Sequence, residues 1–495
     1  MPFVLSLDEG TTSARAGLYD EQGRNVAIEA VPIECRYPLP GWVEQDADEI
    51  WNAQMYAARL LLDHACVPPP ALVAAGITNQ RETTIVWDRA TGRPVAPAIV
   101  WQCRRTADYC AELARSSDAA DITRRTGLVI DAYFSGSKIH WILENVPDAR
   151  QKARDGELLF GNVDTWLVWK LTNGAVHVTD STNASRTMLM NLQGGEWDGE
   201  LLRIFDVPRA MLPRIARSSE VVGMIAAEHF GAEIPIAGIA GDQQAALVGQ
   251  ACFRPGLSKN TYGTGCFALM HTGGHLPVSR NRLLATRAAS TGGQPQYAIE
   301  GSIFIAGAAV QWLRDMLGLI QQPADSEALA LSVPDTGGVY LVPAFAGLGA
   351  PHWDAAARGL LCGLTRASGR AQITRATLES IAYQTRELFD AMQADAGERI
   401  LELRVDGGAA ANNFLMQFQA DILGCPIVRP ADIETTALGA AYLAGLATGF
   451  WKSTEEVESF WRAERRFEPA MDASTRDRLY SGWSAAVKRC RGQFR

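Results

Sequence analysis

The stretch VLSLDEGTTSARAGLYD, residues 4–20, decides how the rest of the chain is read. Val4 to Leu7 are mainly apolar and read as a strand that Asp8 ends. Gly10 permits a tight reversal, because it lacks the Cβ that clashes at positive φ. Thr11, Thr12, Ser13 and Arg15 follow, and Ala16 to Tyr19 reads as a return strand. The tip of such a hairpin gathers a carboxylate, three hydroxyls, backbone N–H groups and a cation. That set suits a phosphate with its magnesium. The plainer alternative is an ordinary edge hairpin.

A second stretch, LSKNTYGTGCFALMHTGG at 257–274, repeats the pattern of strand, glycine turn with hydroxyls, and return strand. An echo across about 250 residues predicts two related domains facing each other, with two hairpin tips that could clamp a triphosphate. The length of 495 residues agrees, being too great for one core. Strands alternate with helices: 72–78 and 83–88 read as strands, 45–65 as a helix begun by Asp46 and Glu49. Residues 234–242 read as a buried strand and 373–392 as a long amphipathic helix.

The net charge of −9 argues against nucleic acid or an anionic membrane surface as partner. The first residues carry no basic segment of a secretory signal, and no apolar run reaches spanning length. The nine cysteines, an odd number without C-x-x-C, fit reduced thiols in the cytoplasm.

Two nucleotide motifs are set aside. GTGCFA at 263–268 matches G-x-G-x-x-A, but no acid stands about 20 residues on for a ribose. There is no G-x-x-x-x-G-K-[ST]. More promising is GDQQ at 241–244, where Asp242 ends a buried strand and faces a cleft. It could take a proton from an alcohol attacking a phosphate, with Gln243 as polar neighbour; its alternative is a helix cap. Arg81 and Glu82 in TNQRETT stand past a strand end, as ligands or as a surface ion pair. Trp101, Tyr133 and Phe134 could build a pocket with one polar side, or fill core. DGGAAANN at 406–413 offers either close backbone approach to a nucleotide, with Asn412 as contact, or a simple strand-to-helix turn.

Together these segments resemble the FGGY carbohydrate kinase family, from Phe3 to about Trp451. YFSGSKIHWILEN from Tyr133 and GLLCGLTRASGRAQITRATLE from Gly359 fit the two family signatures. DEGTTSAR, ITNQRET, IVWQCRRT, GIAGDQQAAL, YGTGCF and RVDGGAAANNFLMQFQADILG resemble the branch acting on glycerol. The resemblance implies an α/β fold of two ribonuclease-H-like domains, as in actin, Hsp70 and hexokinase, flanking a catalytic cleft. Here they would cover residues 1–252 and 253–495. It implies ATP-dependent phosphorylation of glycerol to sn-glycerol 3-phosphate with Mg2+. Thr11, Thr12, Ser13 and Arg15 match the first phosphate loop and Thr264 the second; Gly307, Gln311, Gly408 and Asn412 match nucleotide positions. Arg81, Glu82, Tyr133, Asp242 and Gln243 match glycerol ligands, with Trp101 and Phe267 as apolar walls. Asp242 takes the base role, and Asp8 and Asp242 the acids at magnesium. Glycerol and ATP are the expected partners, in a homodimer or homotetramer. Glu9 stands where many members carry Gln, and is expected to add negative charge beside the phosphate loop. The rivals are a family kinase for a pentose, tetritol or gluconate, and an actin- or Hsp70-like ATPase, which would need no polyol set.

One segment bears on control. Some family members are inhibited by fructose 1,6-bisphosphate through a Gly-Gly-Thr-Arg loop before an IPIAG strand. Here HFGAEIPIAG at 229–238 places Glu233 at that Arg, and a carboxylate repels a phosphate that a guanidinium would grip. His229 reads as solvent-facing, although relatives carry a phosphorylated His in this loop. Millimolar fructose 1,6-bisphosphate is therefore expected to leave activity unchanged, assayed beside Glu233→Arg. Strong inhibition of the wild type would refute the loop argument.

Overall fold

A computed structural model describes residues 1–354 and 356–491. In chain order the first half contains β1 (Phe3–Glu9), β2 (Ser13–Tyr19), β3 (Asn25–Pro32), α1 (Ala47–Ala65), β4 (Leu72–Asn79), α2 (Ser135–Asn145), α3 (Val163–Leu171), β5 (Ser219–Ile225), β6 (Ile234–Gly241) and α4 (Asp242–Gly249). The second half contains β7 (Leu257–Tyr262), β8 (Cys266–Gly273), β9 (Leu284–Arg287), β10 (Tyr297–Ile303), α5 (Gly307–Asp315), α6 (Arg370–Ala396), β11 (Glu402–Asp406), α7 (Asn413–Leu423), β12 (Ile427–Pro430), α8 (Thr435–Thr448) and β13 (Ala463–Phe467).

The echo in the sequence is a duplication in space. The first sheet runs β5-β6-β4-β1-β2-β3 and the second β9-β10-β8-β7-β11-β12-β13. In each, an antiparallel three-strand meander (β1-β2-β3; β7-β8-β10) joins two parallel strands (β4 and β6; β11 and β12), and an antiparallel strand closes the far edge. This agrees with the expected pair of ribonuclease-H-like domains. The register of the first hairpin sets Asp8 opposite Arg15 and Glu9 opposite Ala14, so β1 runs through Asp8 rather than ending at it.

Apolar periodicity explains the layers. One face of the first sheet, with Leu5, Leu7, Ala16 and Leu18, packs on Ile50, Ala57 and Leu61 of α1 and on Trp166 and Leu167 of α3. Asp46 caps α1 by accepting from the N–H groups of Asp48 and Glu49, as its spacing predicts. The stripe Leu378, Ile381, Ala382, Thr385, Leu388, Phe389 and Met392 is buried along α6.

The other face of each sheet is where the halves meet. Helix α8 lies in the second half of the chain, yet its Ala437, Leu438 and Ala441 pack with Val4, Ala74 and Ala240 of the first sheet. Leu247 of α4 in turn packs with Leu257 and Leu269 of the second sheet. The two helices cross between the sheets with almost no separation. A Cβ on Gly249 would lie 1.9 Å from the Thr435 carbonyl oxygen, and one on Gly439 would lie 1.8 Å from that of Ala245. Only glycine fits there. Gly439→Ala should force the crossing apart at a cost of about 1–3 kcal/mol, read as a drop of several degrees in Tm. An unchanged Tm would show that the crossing has room to give.

Candidate active site

Seven scattered residues line one cavity of about 60 Å³: Arg81, Glu82, Trp101, Tyr133, Asp242, Gln243 and Phe267, with Thr11 as the eighth wall. Arg81 and Glu82 follow the end of β4. Trp101 and Tyr133 come from the segment between β4 and β5, and their rings meet edge to face at 5.5 Å. Asp242 and Gln243 are the first residues of α4, and Phe267, on β8, comes from the other domain. Asp242 thus stands one step beyond the strand in which it was expected. Its side chain does not cap the helix in the usual way, since Oδ1 accepts from the adjacent Gln243 N–H at 2.7 Å.

The backbone is strained locally by this arrangement. Glu82 has φ 61°, a region costly for any residue with a Cβ. Its carbonyl accepts from Thr84 Oγ1 (3.1 Å), Ser135 Oγ (3.2 Å) and Lys138 Nζ (3.4 Å). Lys138 also donates to the Tyr133 carbonyl. The buried lysine of α2 therefore ties the Tyr133 turn to the Glu82 turn; burial lowers its pKa to about 8, against the pull of the Glu82 carboxylate.

Arg81 and Glu82 are 3% and 1% exposed, so they are not a surface pair. Arg81 Nη1 and Nη2 bind both oxygens of Glu300 at 2.6 and 2.9 Å, and Nε lies 3.1 Å from Asp242 Oδ1. Arg186 Nε donates to Glu82 Oε1 at 2.6 Å and Nη2 to Glu300 Oε1 at 3.1 Å, its guanidinium lying over the rings of Tyr133 and Phe134. Burial alone would raise Glu300; Arg186 and Arg81 together hold it at about 2. Lys259 of β7 reaches Gln243 Oε1 and, at 2.9 Å, Thr261 Oγ1. The sequence reading missed Arg186, Glu300 and Lys259. Only Glu300 carried a local signal, an acid in the mainly apolar strand YAIEGSI, where a charge is buried only when paired; Arg186 and Lys259 sit among polar neighbours.

The tip of the first hairpin lies next to the cavity, which Thr11 also lines. The tip of the first hairpin closes through Gly10 N–H to the Ser13 carbonyl at 3.0 Å. Gln45 Nε2 holds the Thr11 carbonyl at 2.7 Å, and Trp101 Nε1 donates to Thr11 Oγ1 at 2.9 Å. Thr12 is exposed and Ser13 half-buried. Arg15 bridges the halves, 3.9 Å from Asp8 and 3.6 Å from Glu434 just before α8. Glu9 corrects the expectation made for it. It is fully buried, neither carboxylate oxygen has a hydrogen-bond partner among the described residues, and burial beside Asp8 raises its pKa well above the usual range. The added acid is held toward its neutral form rather than bringing charge to the loop.

Across the cleft, Thr264 is exposed and its carbonyl accepts from the Ala306 and Ala308 N–H groups, while Gly307 bonds Gly263. Gln311 is exposed on α5. A Cβ on Gly408 would meet nothing within 4 Å, whereas Gly407, at φ 85°, lies against the Tyr262 backbone. The Asn412 side chain is engaged within its own domain, where Oδ1 caps α7 at the Leu415 N–H (2.9 Å) and Nδ2 reaches Ser326. Away from the cleft, Glu233 is exposed. His229 is half-buried, edge-on to Trp51 at 5.4 Å, so the solvent-facing expectation for it does not hold.

The FGGY family of carbohydrate kinases matches the chain in both domains, the N-terminal at residues 3–249 and the C-terminal at 258–448. A glycerol kinase of Nitratidesulfovibrio vulgaris strain Miyazaki F is 59% identical over 489 residues, covering 99% of this chain and 98% of that one. Glycerol kinase 2 of Thermotoga maritima is 59% identical over 492 residues, 99% of each. Among solved structures, Plasmodium falciparum glycerol kinase with ADP superposes with a TM-score of 0.95 at 38% identity, over 100% of this chain and 99% of that one. A ligand-bound xylulose kinase of Lactobacillus acidophilus, 22% identical with a TM-score of 0.90 over 100% and 99%, shares the fold.

Proposed function

The chain belongs to the FGGY family of carbohydrate kinases, and we propose that Asp242 is the base with which it phosphorylates glycerol. The enzyme transfers a phosphoryl group from ATP to glycerol, giving sn-glycerol 3-phosphate. The observation that carries the site assignment is that the residues of this site line one cavity. Its volume of about 60 Å³ holds on the order of four to six waters, near the six heavy atoms of a three-carbon triol. An ATPase machine has no use for such a cavity.

The roles follow from which atoms the protein leaves free. Asp242 Oδ1 is occupied by Arg81 and by its own helix, while Oδ2 accepts no hydrogen bond among the described residues. Oδ2 is the atom to take the hydroxyl proton as the alcohol oxygen attacks the γ-phosphorus. Arg81, Glu82, Tyr133 and Gln243 hold the hydroxyls, and Trp101 and Phe267 close on the C–H groups. Thr11, Thr12, Ser13 and Arg15 hold phosphates from one side and Thr264 from the other; Gly307, Gln311, Gly408 and Asn412 lie along the nucleotide.

Asp8 and Asp242 suit Mg2+. Burial raises Asp8 to about 7 against the pull of Arg15, and the Asp242 charge raises it further. The buried Asp8 carboxylate, raised by the charge of the part-exposed Asp242, is a hard-oxygen group that a divalent ion would neutralise. When bound, magnesium supplies charge neutralisation on the transferring phosphates. We assign the enzyme to the cytoplasm. All nine cysteines are free, and among the described residues no helix is long and apolar enough to cross a membrane.

Asp242→Asn keeps shape and removes proton acceptance. Its kcat should fall ~10²-fold or more while an ATP analogue still binds; near wild-type turnover in a folded variant would sink the assignment. Glu82→Gln keeps an acceptor for Arg186 and changes the oxygen left for substrate. It should raise the KM for glycerol about tenfold and that for ATP by less than about twofold. Equal effects on the two substrates would count against Glu82 as a ligand.

A further inference from the structure

Glu300 belongs to the second domain, on β10, yet its carboxylate is engaged wholly by two arginines of the first. Arg81 has five N–H groups. Nε faces Asp242, both protons of Nη1 go to Glu300 and Gln244, and one of Nη2 goes to Glu300. One Nη2 N–H remains, on a residue that lines the cavity. Glu82 likewise gives Oε1 to Arg186, and its Oε2 has no donor among the described residues. The two atoms the substrate needs are those left over once Glu300 has been served.

Without Glu300 the count changes. Arg81 Nε is already 3.1 Å from Asp242 and 3.9 Å from Glu82. A guanidinium released from its two-pronged partner would turn onto those carboxylates and occupy the oxygens that hold and deprotonate the alcohol. Arg186, fully buried and with Nη1 already without a partner among the described residues, would lose its second acceptor.

We propose that Glu300 is a positioning residue for the alcohol: from the second domain it fixes Arg81 and Arg186, and so leaves Arg81 Nη2 and Glu82 Oε2 open to the substrate. The polyol site is then complete only when the two domains are together. This rests on the reading of Arg81 and Glu82 as substrate ligands.

Glu300→Gln preserves shape but presents an N–H group to one guanidinium. Expected are a rise of about tenfold or more in the KM for glycerol, a lower kcat, and a KM for ATP within about twofold of wild type. A folded variant with both KM values unchanged, or both raised alike, would overturn the proposal and leave Glu300 a plain interdomain ion pair. Should the single variant fail to fold, Glu300→Gln combined with Arg186→Gln removes one charge of each sign. The folded double variant is expected to keep the raised glycerol KM, and a wild-type value there would overturn the proposal. Glu82→Gln separates the two levels. If it leaves the glycerol KM unchanged, the ligand reading falls and this proposal with it. If it raises that KM and Glu300→Gln does not, only the positioning role falls.

Discussion

The cleft depends on how closely α4 and α8 cross. With Gly249 and Gly439 in backbone contact, α4 carries Asp242 and Gln243 at its start, and Glu434, just before α8, reaches Arg15 in the first hairpin. Each helix also packs on the sheet of the other half. A side chain at the crossing would move Asp242 and the two hairpin tips relative to one another. Displacements of about 1 Å are enough to cost a phosphoryl-transfer enzyme much of its rate.

The second constraint is electrostatic. Arg81, Glu82, Arg186 and Glu300 are all 3% exposed or less. Ions taken out of water in this way offset their desolvation only when each is met by well-placed partners. Here Glu300 accepts three bonds from two arginines. The positive φ of Glu82 and the buried Lys138 beneath it belong to the same network, in which local strain is held by three donors to one carbonyl. The outcome is a rigid polar wall, with Trp101 linking it to the first hairpin through Thr11.

Much of this was legible in the sequence. The two hairpins announced themselves because strand, glycine turn and hydroxyls are local features, and the helix stripe of α6 is a matter of period. All seven residues read as the polyol pocket line one cavity. What escaped is non-local. Glu300 is an acid in the strand YAIEGSI, and nothing nearby names its partners, which are 219 and 114 residues away. Glu9 looked like added charge because its burial, set by the packing of β1, cannot be read from its neighbours. Asn412 also caps a helix through its Oδ1, a contact that its sequence neighbours do not announce. His229 looked exposed, but Trp51, far away in sequence, packs against it.

The most direct test is a crystal structure with glycerol and a non-hydrolysable ATP analogue. The account requires glycerol inside the cavity, its hydroxyls on Arg81 and Glu82, and the hydroxyl nearest the γ-phosphate within hydrogen-bond reach of Asp242 Oδ2, about 2.6–3.2 Å. It also requires the Arg81–Glu300 pair to be intact. Glycerol bound elsewhere in the cleft, or a reacting hydroxyl out of reach of Asp242, would contradict it.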